Sequence, residues 1–394
     1  MRRIKTAAAE MLTQRLLPFW KDLRDEEYGG YYGYMGYDLQ LDQHAEKGCI
    51  LNSRILWFFS EAAMATKDSG LVPFARHAYL FLKDHCLDKE EGGVYWSLTY
   101  DGKPLDETKH TYNQAFAIYA LSAYYRLTND QEALMLALTL FDLIEIRCTD
   151  GGGYLEAFTR DFQPVSNEKL SENGVLAHRT MNTLLHVFEG YAGLYQAVQN
   201  PRIAAAMQRI LDIYANRVYN PQLHRQEVFF DANYNSLIDL TSFGHDIESS
   251  WLIDWGCSLL GNEALSKKIA DINSDLADHV LKTAFKNGSL ANECEKGNVD
   301  THRIWWVQAE ALLGFTNELK KYPQRTDCLV AVTQLWEYIT EKVEDHRLGG
   351  EWFWRLDEDG NPDCDKPIVE PWKCPYHNGR MCMELMRRDP DVFV

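Results

Sequence analysis

Six short clusters, most of them glycines beside alternating aromatic residues and the fourth a weaker, glycine-free version, recur along this chain, and a long apolar run follows each one. The clusters read EEYGGYYGYM at 26–35, EEGGVYWSL at 90–98, DGGGYLEAF at 150–158, EVFFDANYN at 227–235, KNGSLANECE at 286–295 and LGGEWFWRLD at 348–357. Alternation beside glycine predicts a short strand or hairpin at each. The spacing is roughly 60 to 75 residues, longer than the ~50 that bounds most solenoid repeats. The apolar runs begin NSRILWFF at 52, TYNQAFAI at 111, TMNTLLHV at 180, GHDIESSW at 244, HRIWWVQA at 302 and NGRMCMEL at 378. They are apolar on more than one face, as expected of helices buried among helices. Amphipathic stretches such as DQEALMLALTLFDLIEI lie between them and predict an outer layer. Six repeats of outer helix, hairpin and inner helix predict an all-α, closed (α/α)6 barrel. It is expected to be a single catalytic domain over 1–394; an open helical solenoid is the alternative architecture.

Closure gives the C-terminal stretch EPWKCPYHNGRMCMEL a purpose. The sixth inner helix completes the ring beside the first. Each inner helix also carries distinctive polar or aromatic residues in or just before its first turns. These are Arg54, Tyr112, Asn182 with His186, His245 with Glu248, Trp305 with Trp306, and His377. In a ring of parallel helices such positions meet at one end of the axis, in a cavity suited to a small ligand. His186 follows Asn182 by four residues and Glu248 follows His245 by three, so each pair shares a helix face. Glu248 is therefore expected to hold the His245 imidazole. Of the adjacent tryptophans, one is expected to line the cavity while the other packs. A core histidine, a surface ion pair or a helix start is the plain structural reading of these residues.

The net charge of −18 argues against nucleic acid and against an anionic membrane surface. No apolar h-region follows the N-terminus and no stretch is long enough to span a bilayer. Nine scattered cysteines suggest reduced thiols in a cytoplasmic protein. The 11 Trp, 21 Tyr and 17 Phe supply flat faces suited to sugars, although most should be core. No H-E-x-x-H, G-x-G-x-x-G, Walker A or G-x-S-x-G pattern occurs, so neither a metal nor a nucleotide cofactor is expected.

The segments LNSRILWFFSEA, KHTYNQAFAIYALS, SFGHDIESSWL, IWWVQAEAL and PWKCPYHNGRMCME together resemble the N-acylglucosamine 2-epimerase superfamily, in its cellobiose 2-epimerase branch. The resemblance spans essentially the whole chain. It implies the same barrel, a cofactor-independent isomerase, and epimerisation of the reducing-end glucose of cellobiose, lactose and similar β-1,4-linked disaccharides; a mannobiose-like oligosaccharide is a further expected substrate. It implies that His245 and His377 are the paired acid/base groups. Glu248 is implied beside the first of these, and Arg54 and His186 at the reducing-end sugar. Tyr112 and Asn182 are implied as sugar contacts, and Trp372 as the support of the second ring. A monomer is expected.

That chemistry needs these residue types. A C2 proton is acidic only once the ring has opened, and imidazoles suit both ring opening and proton transfer near neutral pH. The enediolate oxyanion suits an arginine. A mannose isomerase or N-acylglucosamine 2-epimerase would use the same groups. An inverting glycoside hydrolase would need two opposed carboxylates, and the inner-helix starts offer one, Glu248. A non-catalytic sugar binder is the remaining alternative.

Overall fold

The computed structural model describes residues 2–170 and 173–388. Its helices in chain order are α1 (Arg2–Met11), α2 (Leu17–Asp22), α3 (Cys49–Thr66), α4 (Val72–Phe81), α5 (Thr111–Thr128), α6 (Gln131–Arg147), α7 (Met181–Val198), α8 (Pro201–Ile213), α9 (Phe243–Leu260), α10 (Glu263–Thr283), α11 (Trp305–Lys321), α12 (Thr326–Tyr338) and α13 (His377–Arg387). A π turn at Leu12–Leu16 joins α1 and α2 into one outer helix. The inner ring is α3, α5, α7, α9, α11 and α13. Each packs on the next, and α13 packs back on α3. This is the closed (α/α)6 barrel expected from the repeats, not an open solenoid.

The two layers differ as their sequences do. Every residue of α3 from Cys49 to Ala63 is buried. The outer helix α8 buries only Ile203, Ala206, Met207, Ile210 and Leu211, one stripe at helical spacing. At one end of the barrel, inner helices pass to outer ones through tight turns. Lys67, Asn129, Gln199 and Gly261 close their helices in the left-handed region, at φ of 55°, 59°, 45° and 64°. The next residues, Asp130, Asn200 and Asn262, then cap α6, α8 and α10 with their side-chain oxygens.

The other end carries the hairpins. The residues just before each inner helix pair antiparallel with the following repeat: Lys47–Gly48 with Ser97–Leu98, Lys109–His110 with Ala157–Phe158, Arg179–Thr180 with Phe229–Phe230, Leu240–Ser242 with Glu293–Glu295, and Arg303–Ile304 with Arg355–Leu356. Met35 pairs with Val369 and joins the last repeat to the first. The fourth residue of four inner helices staples this layer down. Asn52 and Asp246 accept the N–H groups of Tyr31 and Gln226, and Gln114 and Gln308 bond both backbone groups of Val94 and Leu290.

Two helix starts differ from the sequence expectation. Asn52 reads as a polar residue before a helix, yet α3 begins three residues earlier because Asn52 is such a staple. His302 and Arg303 read as the start of the fifth inner helix, but Arg303 belongs to the strand and α11 begins at Trp305. His377, just ahead of the apolar run at 378, is itself the first residue of α13.

Candidate active site

The inner helices run parallel from the hairpin end, so equivalent positions form layers across the axis. Residues two, six and nine of a helix share a face. The second residues include Tyr112, Asn182 and Trp306; the sixth are Arg54, Phe116, His186, Glu248 and Glu310; the ninth include Trp57, Tyr119, Glu189 and Trp251. The second residue of α9 is Gly244. A Cβ there would lie 2.5 Å from the Trp306 ring, so glycine admits that indole and the third residue, His245, faces the cavity instead.

A cavity of about 170 Å³ opens at the hairpin end. All ten residues expected from the sequence line it: Arg54, Tyr112, Asn182, His186, His245, Glu248, Trp305, Trp306, Trp372 and His377. Both tryptophans of the Trp-Trp pair line it, where one was expected to turn away. Trp305 meets His377 edge-on at 5.3 Å and is itself covered by the Lys373 ammonium. Trp306 touches both His245 and His377. Arg54 donates to the Tyr112 hydroxyl at 2.9 Å and to the Trp372 carbonyl at 3.4 Å, with its guanidinium 4.2 Å above the Phe116 ring.

Beneath the imidazoles lies a buried ionic layer. His377 Nδ1 is 2.7 Å from Glu310 Oε1, and His186 Nδ1 is 2.8 Å from Glu189 Oε2. The Arg380 guanidinium donates to Glu189 and Glu248, each at 2.5 Å, and to Glu310 at 2.8 Å. The Tyr376 hydroxyl donates to Glu189, and the Trp251 indole to Glu310 at 2.8 Å. The pairing of His245 with Glu248 is not formed. His245 Nδ1 instead meets the Ser242 hydroxyl at 2.7 Å, while Glu248 bonds Arg380 and lies 3.9 Å from His377 Nδ1. Ser242 ends the strand before α9 and comes within reach of the third helical residue. A shared face alone could not show that α13 draws Glu248 away.

Burial sets the protonation states. It drives the pKa of His245 down to about 3, aided by His186 and His377, and lowers those of His377 and His186 as well. All three imidazoles are neutral at pH 7. Burial also pushes Glu248 up to about 8, reinforced by the neighbouring Glu310, so it is a protonated acid near neutrality. Burial alone would raise Glu310 and Glu189 too, but the Arg380 guanidinium overrides it and holds both below the usual carboxylate range. A neutral imidazole beside an anionic carboxylate donates its Nδ1–H. Its Nε2 lone pair is then the basic atom. Glu248, Glu310 and His377 bring three possible metal-ligand atoms within 4.8 Å of one another. The Arg380 guanidinium already supplies positive charge between the two carboxylates.

Sequence reading assigns no role to Arg380 and does not single out Glu189 or Glu310, so Glu248 is wrongly expected to be the only carboxylate that the inner helices bring to the site. A signal existed: Glu189 in LLHVFEGY and Glu310 in VQAEALL are charged residues inside wholly apolar helices. Such residues are rarely buried without a partner. Ser242, Lys169, Asn292, Glu293 and Trp354 also line the cavity, from the strands and loops of the hairpin layer, whose paths no local pattern encodes.

The family model for N-acylglucosamine 2-epimerase (GlcNAc 2-epimerase) matches residues 30–378. The chain is 50% identical to a cellobiose 2-epimerase of Eubacterium cellulosolvens over 97% of this chain and 98% of that one. It is 47% identical to a cellobiose 2-epimerase of Ruminococcus albus, covering 97% and 98%. A solved cellobiose 2-epimerase from Bacillus thermoamylovorans B4167 superposes with a TM-score of 0.96 at 42% identity, covering 99% of this chain and 100% of that one. No helix among the described residues is long and apolar enough to cross a membrane. With its barrel, its ring of buried histidines and these matches, the chain belongs to the N-acylglucosamine 2-epimerase family.

Proposed function

We propose that this enzyme epimerises C2 of the reducing-end glucose of cellobiose and related β-1,4-linked disaccharides, giving 4-O-glycosyl-mannose. The observation that carries the reading is the placement of neutral His245 and His377 on separate helices around one cavity, with Arg54 beside them. Protonated Glu248 gives its proton to the ring oxygen while one imidazole takes the anomeric hydroxyl proton, opening the ring to an aldehyde. One histidine then removes the C2 proton. The C–H electron pair forms the C1–C2 double bond, and the C1 carbonyl pair moves onto oxygen. Arg54 and His186 stabilise this enediolate, worth ~3 kcal/mol for one well-placed donor. The other histidine, which gained its proton in ring opening, returns it to the opposite face, and ring closure passes the abstracted proton from the first histidine to O1 and the 5-hydroxyl proton back to Glu248. The proton leaves and returns, so the reaction consumes no electron acceptor. Glu248 lines the cavity with Oε2 lacking a hydrogen-bond partner, which suits a protonated acid that donates to a sugar oxygen.

Tyr112, Asn182, Trp305 and Trp306 hold the reducing ring in this reading, and Trp372 supports the second. The cavity is smaller than the ~300 Å³ at the low end of pockets that enclose whole drug-sized ligands. That supports enclosure of one ring with the other at the rim. Substrates named for the relatives support cellobiose in particular. Nine free thiols support a cytoplasmic setting. Incubation with cellobiose, mannose and N-acetylglucosamine, followed by product chromatography, tests the proposal. Glucosyl-mannose from cellobiose is expected. Fructose from mannose as the sole product, or glucose released from cellobiose, would overturn it.

A further inference from the structure

Arg380 is the fourth residue of α13 and is fully enclosed. Its guanidinium joins three other inner helices through Glu189 of α7, Glu248 of α9 and Glu310 of α11. Aromatic rings hold it in place, with Tyr376 at 4.2 Å and Trp251 at 4.9 Å from its central carbon. Two of its carboxylates each hold a cavity-lining imidazole by Nδ1, His186 on one side and His377 on the other. We propose that Arg380 is a positioning residue for the epimerisation: it keeps Glu189 and Glu310 anionic, and they in turn fix His186 and His377 as Nδ1–H tautomers with Nε2 turned toward the sugar. This deepens the proposed function and rests on it.

Charge counting supports the assignment. Arg54 and Arg380 carry two positive charges, and Glu189 and Glu310 carry two negative ones. With Glu248 protonated and the imidazoles neutral, this buried layer sums to zero. Other titratable groups facing Arg380 are Tyr119 on α5 and Tyr376 on α13 itself, both pushed upward by burial and so neutral. Losing the guanidinium would leave two anions with only Arg54 to balance them. A proton would then settle on a carboxylate or an imidazole, and the tautomers would no longer be imposed. A lysine could restore the charge but not the fork that reaches three helices.

The barrel supplies a means to test this. On the far side of Arg380 lies a second cavity of about 520 Å³, with Trp57, Tyr119, Trp255 and Arg380 in its walls. Arg380 Nε has no hydrogen-bond partner. Truncating Arg380 opens a hole onto this cavity through which a small guanidinium ion can enter. In Arg380→Ala, kcat on cellobiose is expected to fall at least 100-fold with KM changed less than about threefold. Millimolar guanidinium should restore at least tenfold, while sodium chloride or urea at the same concentration should not. Nitrogen-15 NMR of the histidine rings should show Nδ1–H tautomers for His186 and His377 in the native enzyme and their loss in Arg380→Ala. A folded Arg380→Ala that keeps more than a tenth of kcat, or that guanidinium fails to restore, overturns the proposal. If that variant does not fold, Arg380→Lys carries the test, and native tautomers together with native kcat in it overturn the proposal. The NMR measurement needs no turnover. Failure of the chain to epimerise cellobiose therefore counts against the function, and wrong native tautomers count against Arg380.

Discussion

His245 and His377 rest against the same indole, with the Trp306 ring centroid 4.9 Å from one imidazole and 5.4 Å from the other. The histidines come from the fourth and sixth inner helices and the tryptophan from the fifth. A rigid aromatic ring thus sets their separation, and each imidazole addresses the cavity from its own side. His245→Ala and His377→Ala should each reduce kcat on cellobiose below a tenth of the native value, which is ~1.4 kcal/mol of barrier or more. Both should retain native circular dichroism. Steady-state assays decide, and a variant that keeps more activity than this removes its histidine from the acid/base pair.

Two separate imidazoles also predict an isotope result. In D2O, the mannose epimer should carry deuterium at C2 from the first turnover, because the donating histidine delivers a deuteron taken from the solvent-exchanged anomeric hydroxyl. Recovered cellobiose should label more slowly, through reversal. Proton NMR and mass spectrometry of early product provide the measurement. Unlabelled C2 from an enzyme pre-exchanged in D2O would speak against the two-base scheme.

Ser242 is the only described partner of His245 Nδ1. Unlike the carboxylates that hold His186 and His377, a hydroxyl can either donate or accept there. Ser242→Ala should free the tautomer and lower kcat by about tenfold, typical of weakened acid–base catalysis, with KM nearly unchanged. A pure rise in KM would show instead that Ser242 shapes the substrate pocket.

Glu248 gives a pH test with a definite sign. Its folded pKa of about 8 lies above the ordinary carboxylate value of 4.5. Between those two pH values the folded state binds more protons than the unfolded one, so its contribution to stability falls as pH rises. Glu248→Gln mimics the protonated acid and removes that slope. Relative to native enzyme, its Tm should therefore improve steadily from pH 5 to pH 8. Calorimetry at several pH values measures this, and parallel Tm curves would show that Glu248 is already ionised.

Trp372 stands at the cavity rim, partly exposed, with its ring 5.6 Å from Trp96 and 5.8 Å from Tyr112. If it carries the second sugar, Trp372→Ala should lower kcat/KM for cellobiose more than for any monosaccharide substrate, by the roughly 0.5–1.5 kcal/mol of an aromatic contact. Equal losses would assign it to the reducing-end ring, near Arg54.

The barrel was legible because repetition is a global signal. Six clusters at similar spacing needed no knowledge of contacts, and the apolar runs told inner helices from outer ones. Residues at helix starts were legible for the same reason, since ring symmetry sends equivalent positions to one place. Pairings across the axis were not. Glu310 and His377 lie 67 residues apart, and Glu189 and Arg380 lie 191 apart. Nothing local shows that Arg380 would draw Glu248 away from His245. The same limit applies to helix starts: Asn52 looks like a terminator by its type, and only the nearby Tyr31 N–H makes it a staple.

The last inner helix also governs how the protein comes into being. Chains emerge N-terminus first, at ~5–20 residues per second, and domains tend to fold as they appear. Until His377 and Arg380 leave the ribosome, Glu189, Glu248 and Glu310 lack the guanidinium that bridges them in the finished barrel. An unclosed set of five helices cannot bury these acids cheaply. The final stretch then delivers a base, a cation and the Met35–Val369 seam together. A chain truncated by a few dozen residues would therefore lack the sixth inner helix, and with it both the ring's closure and the cation that joins the three carboxylates.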